Sequence, residues 1–226
     1  MKIDIEFLFE PPEFTKNAIL TIKPLTPLSM VSSIPGSYYK TERVPDKFML
    51  CGLFENILSL HLDENERNMI RKKIKKHYKK QYKLEYTAES SNVGYKPILD
   101  HLFEIVPPIV IPDMKFYDDL WTQHLIGSDS RHLNGSFNND WNIEKDLIKL
   151  KESEKNEFFT NNRSSFPQYY RSPQIREFII TDGEFLLNIK ITQSLFNIIN
   201  DACVKSNIGY LGTSEGWVDI SIGEAI

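Results

Sequence analysis

The spacing of apolar and polar residues in the first part of the chain predicts a strand followed by two helices. Residues 18–23 form a short apolar run with the composition of a strand. Apolar residues then recur at helical spacing over 46–60, and Asp46 is a suitable N-cap for that helix. A second helix is predicted over 63–83, because Asp63-Glu64-Asn65-Glu66 has the form of a capping box.

The last part of the chain also contains both strand and helix patterns. Two strand patterns, 175–181 and 184–191, are joined by Asp182-Gly183, which is a strong hairpin signal. A helix over 194–206 and a strand over 217–222 follow. With strand 18–23 and helix 46–60, these elements give a β-α-β-β-α-β order. We therefore predict the α+β class and the ferredoxin-like split fold.

The middle of the chain carries weaker patterns. They predict strands over 95–99 and 105–111, a helix over 114–125, and a charged helix or hairpin arm over 144–156. Polar loops separate these elements. We therefore predict a core of residues 1–83 and 173–226, with residues 84–172 inserted into it as a region of their own.

The composition is that of a folded globular protein, with 41% hydrophobic and 26% charged residues. Cys51 and Cys203 both lie in apolar helical patterns, so we predict buried thiols in a reducing compartment rather than a disulfide or a metal pair. No signal-peptide pattern opens the chain, and no apolar run approaches the length of a membrane span. These features predict a cytoplasmic protein.

Charge is distributed unevenly along the chain. The formal net charge is −4, but residues 71–83 contain eight Lys or Arg and no Asp or Glu, so the remainder carries −4 − 8 = −12. Such a basic segment on an acidic protein indicates a polyanion partner. The alternative is a solvated amphipathic helix whose lysines serve solubility. The candidate nucleic-acid contacts here are Arg71, Lys72, Lys73, Lys75 and Lys76.

The segment before helix 46–60 combines aromatic rings with cations. Tyr38 and Tyr39 can stack on unpaired bases. Lys40, Arg43 and Lys47 can bind phosphates beside the positive end of the helix dipole. The alternative is an ordinary surface loop whose tyrosines cover the edge of the core. Burial of both tyrosines in the interior, with an acidic surface around them, would contradict the nucleic-acid hypothesis.

Signals for enzyme chemistry are weak. The histidines show no metal-ligand spacing, so we predict neither a metal nor a cofactor. Gly209–Gly216 lacks the lysine of a phosphate-binding loop and precedes a strand, which favours a glycine turn against which another backbone lies. Gly52, inside helix 46–60, likewise suggests close approach of another backbone.

Four segments resemble the Cas-five family of CRISPR-associated proteins. They are Pro-Leu-Ser-Met-Val (27–31), Pro-Gly-Ser-Tyr-Tyr-Lys (35–40), Gly-Leu-Phe-Glu-Asn-Ile-Leu-Ser-Leu-His (52–61) and Tyr-Leu-Gly-Thr-Ser-Glu-Gly-Trp-Val (210–218). This family is the RAMP subunit that caps the 5′ handle of the guide RNA (crRNA) in type I Cascade-type complexes of antiviral defence. The similarity covers roughly residues 17–62 and 175–226, and the family shares an RRM-like layout.

The resemblance implies a non-catalytic, crRNA-binding subunit that contacts the backbone and large subunits of a Cascade complex. Target DNA is a further candidate partner. Residues 29–43 would line the groove for the 5′ handle, and residues 84–172 would correspond to the variable thumb. The full set of candidate RNA-binding residues is Ser29, Ser33, Tyr38, Tyr39, Lys40, Arg43, Lys47, Arg71, Lys72, Lys73, Lys75, Lys76 and Arg171.

Two alternatives remain open at this point. One branch of the family cleaves precursor RNA with a tyrosine, a lysine and a histidine, and Tyr39, Lys76 and His77 could supply those groups to a metal-independent endoribonuclease. The other alternative is a protein-interaction domain that binds no RNA. It would require the tyrosine loop and the lysine helix both to be coincidental.

Overall fold

The computed structural model describes residues 5–33, 38–87, 89–92, 94–127, 130 and 140–225, with side chains for all of these except 121–126, 141 and 170–173. The chain forms two compact units. One contains Met1–Asp119 and Arg176–Ile226, and the other contains Leu120–Ile175.

Eight strands and five α-helices are present in the described part of the chain. The strands are β1 (Lys16–Pro24), β2 (Tyr38–Tyr39), β3 (Phe103–Val110), β4 (Asp113–Gly127), β5 (Tyr169–Asp182), β6 (Phe185–Ile191), β7 (Ile208–Tyr210) and β8 (Trp217–Glu224). The helices are α1 (Lys47–Ile57), α2 (Glu64–His77), α3 (Trp141–Lys149), α4 (Glu152–Asn161) and α5 (Gln193–Lys205). Antiparallel strands and helices together make this an α+β protein, as predicted.

The larger sheet has the strand order β3-β6-β1-β8-β7, and each neighbouring pair is antiparallel. In the central strand β1 the alternate residues Ala18, Leu20 and Ile22 are fully buried, as expected for a sheet with one face on the core. Apolar residues of α1 and α5 belong to the same core. These two helices therefore pack against the buried face of the sheet.

The second sheet has the order β2-β5-β4 and corrects two predictions. The predicted hairpin of 175–181 and 184–191 is wrong, because β5 belongs to this sheet whereas β6 pairs with β1 and β3 in the other. The predicted helix over 114–125 is also wrong, because these residues lie in strand β4. Residues 95–99 form no strand, and β3 replaces 175–181 as the neighbour of β6.

The predicted helix starts are confirmed. The Asp46 carboxylate accepts a hydrogen bond from the backbone N–H of Met49 at 2.7 Å and so caps α1. Asp63 and Glu66 form the reciprocal capping box of α2. The helix α2 continues beyond His77 as one π-helical turn, Tyr78–Tyr82.

The smaller unit contains α3 and α4, where a single charged arm was predicted over 144–156. Asp140 caps α3 through the backbone N–H of Asn142 at 3.0 Å. The buried side chains of Leu147, Phe159 and Phe166 form a small apolar cluster of this unit.

The described helices are each too short or too polar to serve as a bilayer-spanning segment.

Candidate nucleic-acid interface

Tyr38 and Tyr39 form the short strand β2, and neither ring is buried in the interior. Tyr38 is 38% exposed, and its hydroxyl donates a hydrogen bond to Asp118 Oδ1 at 2.8 Å. This hydrogen bond, with the negative charges of Asp118 and Glu177, raises the pKa of Tyr38 to about 12. Tyr39 is half-buried, and the guanidinium of Arg176 lies 5.4 Å from the centre of its ring. The tyrosines therefore reach solvent, although carboxylates lie close by.

Two cations follow the tyrosines at the edge of an open cavity. Lys40 and Arg43 are exposed, and the Arg43 guanidinium lies over the Phe116 ring at 5.4 Å from its centre. The cavity has a volume of about 570 Å³, and its lining includes Lys40, Arg43 and Phe116 together with two carboxylates, Glu42 and Glu177. We name Tyr38, Lys40, Arg43 and Phe116 the loop surface; Tyr39, the next residue of β2, points to the other face of the sheet.

The carboxylate of Glu177, beside the loop surface, helps to hold the backbone of this segment in place. Glu177 on β5 accepts a hydrogen bond from the backbone N–H of Thr41 at 3.0 Å. The buried Thr41 hydroxyl accepts a hydrogen bond from the N–H of Met30 at 2.8 Å. Because Thr41 is tied both to strand β5 and to the buried residue Met30, the backbone between the tyrosines and Arg43 is anchored at this point.

The other predicted residues of this region do not lie on the loop surface. Lys47, in the first turn of α1, places its Nζ 5.8 Å from the centre of the Phe103 ring, over a core side chain. Ser33 is exposed, whereas Ser29 is fully buried and its hydroxyl has no hydrogen-bond partner among the described residues. The side chain of Arg171 lies outside the described residues.

The basic segment lies on α2 and the π-helical turn. Its lysines, including Lys72, Lys73, Lys75 and Lys76, are exposed. Arg71 differs from them, because it is 8% exposed and donates a hydrogen bond to the carbonyl of Glu89 at 2.5 Å. Arg71 therefore packs the helix onto the fold and does not belong to the exposed basic surface.

Comparison with protein-family models gives one match that extends over residues 3–222, to the model described as CRISPR-associated protein Cas5p. The chain belongs to the Cas5p family. The family that the sequence analysis indicated is thereby confirmed. Among curated proteins, no match to the sequence was found.

Solved structures give distant similarities to this Cas5p family member. One is a chain in the cryo-EM structure of the Type III-B Cmr-beta bound to cognate target RNA and AMPPnP, at 11% identity and a TM-score of 0.38. Another is a chain of the Type III-B Cmr-beta bound to cognate target RNA, at 12% identity and a TM-score of 0.35. Each alignment covers 92% of this chain and 64% of the other.

The three residues that could cleave RNA, Tyr39, Lys76 and His77, each have different neighbours in the structure. The His77 ring lies edge-on to Phe9 and to Tyr82, with both ring centres at 5.5 Å. Lys76 is exposed on α2, and Tyr39 lies beside Arg176. Within the described residues, no three His, Cys, Asp or Glu side chains are arranged to hold a metal ion.

The glycine turn of this Cas5p family member is confirmed, whereas the expectation for Gly52 is wrong. A Cβ atom on Gly212 would lie 2.3 Å from the carbonyl oxygen of Ser29, and the residue has φ +78°. A Cβ atom on Gly52 would have nothing within 4 Å. The close backbone approach therefore occurs at Gly212.

Sequence reasoning missed the residues from distant strands that lie beside the tyrosines and the cations. Phe116, Asp118, Arg176 and Glu177 lie on β4 and β5, and β4 was predicted as a helix. The aromatic residues at 116, 117 and 121 favour a strand and could have indicated β4. No sequence signal indicates that β2 pairs with β5.

Proposed function

We propose that this Cas5p family member is a non-catalytic guide-RNA-binding subunit of a CRISPR effector complex, of the type I Cascade kind. Its loop surface would bind the 5′ handle of the crRNA. One observation carries this proposal: the exposed ring of Tyr38 and the two exposed cations Lys40 and Arg43 lie in one short segment, and the cations line an open cavity. Rings and cations at an open surface are the groups that single-stranded RNA requires.

The proposed core is a ferredoxin-like, RRM-like split fold. The elements β1, α1, β3, β6, α5 and β8 follow one another in β-α-β-β-α-β order, and all four strands lie in the larger sheet. In this proposal, residues 84–172 contain the family's variable thumb together with β3. The partners would be the backbone and large subunits of the complex, with target DNA as a further candidate, in the cytoplasm.

The loop surface could contribute to RNA binding in two ways. A base stacked on an aromatic ring contributes about 1–3 kcal/mol. Lys40 and Arg43 would neutralise phosphates, whereas Asp118 and Glu177 would repel them. The phosphate backbone would therefore follow the two cations, with the bases towards Tyr38.

Replacing Tyr38 with leucine is expected to weaken guide-RNA binding by about 5- to 100-fold, because it removes a stacking ring. Tyr38→Phe is the matched control, since it keeps the ring and loses the hydroxyl that donates to Asp118. Fluorescence anisotropy with a labelled repeat RNA measures both dissociation constants. If the leucine and phenylalanine variants bind equally well, the ring does not stack and the proposal fails.

The same RNA, incubated with the wild-type protein in metal-free buffer and analysed on a denaturing gel, tests the non-catalytic part of the proposal. We expect intact RNA. Cleavage at a defined site would instead support the endoribonuclease alternative.

Replacing Asp118 with asparagine is expected to strengthen guide-RNA binding a few-fold at low salt, because it removes a negative charge beside the proposed phosphate path. The asparagine oxygen can still accept the hydrogen bond from Tyr38. Asp119→Asn is the matched control, since neighbouring side chains of a strand point to opposite faces. Equal effects of the two variants would show that only net charge matters and would place the RNA elsewhere.

A further inference from the structure

We propose that α2 and its π-helical turn carry a second nucleic-acid-binding surface, separate from the loop surface, which binds phosphates and does not read bases. We name it the lysine face; it consists of Lys72, Lys73, Lys75, Lys76, Lys79, Lys80 and Lys83. This inference goes beyond the proposed guide-RNA site, because it concerns another surface and another mode of recognition.

The lysine face is continuous and carries charge of one sign. All seven side chains are exposed, while Ile74 and Tyr78 on the opposite side of the helix are buried. A rise of 1.5 Å per residue spreads the lysines over about 16 Å of helix. Among the ion pairs found between described residues, none involves these lysines. Their charges are therefore available to a polyanion.

The helix is docked firmly, so the lysine face exists before any ligand binds. The Tyr78 hydroxyl donates a hydrogen bond to the carbonyl of Glu10, and Arg71 donates to the carbonyl of Glu89. Tyr82, one π-helical turn on, lies edge-on to Tyr78 at 5.7 Å between ring centres. A preformed surface loses less conformational freedom on binding than a flexible basic tail would.

A cationic cavity adjoins the lysine face. It has a volume of about 450 Å³, and its lining includes the four cations Arg71, Lys72, Lys75 and Lys96 and one carboxylate, Glu85. Lys96 is paired with Glu64 at 2.7 Å, which leaves the other cations in excess. The cavity extends the positive surface from the helix onto the segment that follows it.

The free helix carries a repulsion that a polyanion would relieve. Lysines four residues apart, such as Lys72 with Lys76 and Lys75 with Lys79, destabilise a helix through repulsion between like charges. The helix dipole favours cations only in the last turn, so it does not account for the whole set. Tyr82 on the π-helical turn is 37% exposed, but its ring packs edge-on against His77 and Tyr78, so the lysines and not this ring dominate the surface. The expected ligand is the phosphate backbone of a duplex or a single strand, without sequence preference.

The test compares the full-length wild type with Lys72→Glu/Lys76→Glu/Lys79→Glu and with Lys23→Glu/Lys190→Glu/Lys205→Glu. Both triple variants change the net charge equally, and Lys23, Lys190 and Lys205 are exposed outside the lysine face. Binding of a random-sequence DNA duplex is measured by anisotropy across a salt series. We expect the lysine-face variant to lose about tenfold or more in affinity at low salt and about three units of the log–log salt slope.

Two results would overturn the inference. One is an equal salt slope for the two triple variants. The other is a poly-glutamate peptide of matched charge that competes as well as unlabelled duplex, since the surface would then suit an acidic protein. Circular dichroism of both triple variants controls for folding. Tyr38→Leu should leave duplex binding unchanged, so failure of the guide-RNA proposal and failure of this one can be told apart.

Discussion

Replacing Glu55 with alanine is expected to lower the free energy of unfolding by about 3–5 kcal/mol, because it leaves the charge of Arg67 without its partner in a mostly buried site. Glu55 is 2% exposed on α1 and lies 2.6 Å from Arg67 Nη1 on α2. Its other oxygen accepts a hydrogen bond from the backbone N–H of Ile98 at 3.0 Å. One carboxylate therefore joins two helices and the segment before β3, and urea unfolding followed by circular dichroism measures its loss.

Glu64→Ala provides the matched control for Glu55→Ala. Glu64 also pairs with a cation, Lys96, but its side chain is 74% exposed, and an exposed pair contributes about 0–1 kcal/mol. The loss in the free energy of unfolding for Glu55→Gln should fall between those for Glu55→Ala and Glu64→Ala. The amide oxygen can still accept the hydrogen bond from the backbone N–H of Ile98, whereas the charge is lost. Equal destabilisation by Glu55→Ala and Glu64→Ala would contradict the buried ion pair.

Replacing Gly212 with alanine is expected to lower the free energy of unfolding by about 2–5 kcal/mol, the sum of a left-handed backbone and an overpacked contact. The new Cβ would lie 2.3 Å from the Ser29 carbonyl oxygen and 3.1 Å from Met30 Cα, so the two segments must separate. Met30 is hydrogen-bonded to Thr41 beside the loop surface. The variant should therefore also bind guide RNA less well if the proposed function is correct.

Gly52→Ala is the control for Gly212→Ala, and it is expected to raise the free energy of unfolding rather than lower it. Alanine in a helix interior is favoured over glycine by about 1 kcal/mol, and a Cβ at Gly52 meets no atom within 4 Å. Chemical unfolding of both variants under the same conditions measures the two changes in the free energy of unfolding. A more stable Gly212→Ala variant would show that the turn does not press against Ser29.

The helices could be predicted from the sequence because their signals are local. Asp46 and the Asp63–Glu66 capping box act within a few residues, and both helix starts were found. The partners of the strands could not be predicted, because pairing is decided by distant segments. Asp182-Gly183 is a strong hairpin signal, yet β5 and β6 enter different sheets and β3 takes the place beside β6.

Only part of the candidate site could be predicted, because local signals can be read from the sequence and contacts between distant segments cannot. Tyr38, Tyr39, Lys40 and Arg43 are neighbours in sequence, so their shared chemistry was visible. The groups that complete the surface, such as Phe116 and Glu177, come from strands far along the chain. The two glycines show the limit of residue type alone, because close approach of another backbone was expected both at Gly52 and in the turn of Gly212, and it occurs only at Gly212.

The position of β1 in the larger sheet constrains the order in which the protein matures during its synthesis. This strand lies between β6 and β8, which are both synthesised long after it. Contacts of such long range are slow to form. The apolar side chains of β1 therefore remain without their partners until β6 and β8 have been synthesised, and a nascent chain stalled before β8 would keep them available to chaperones.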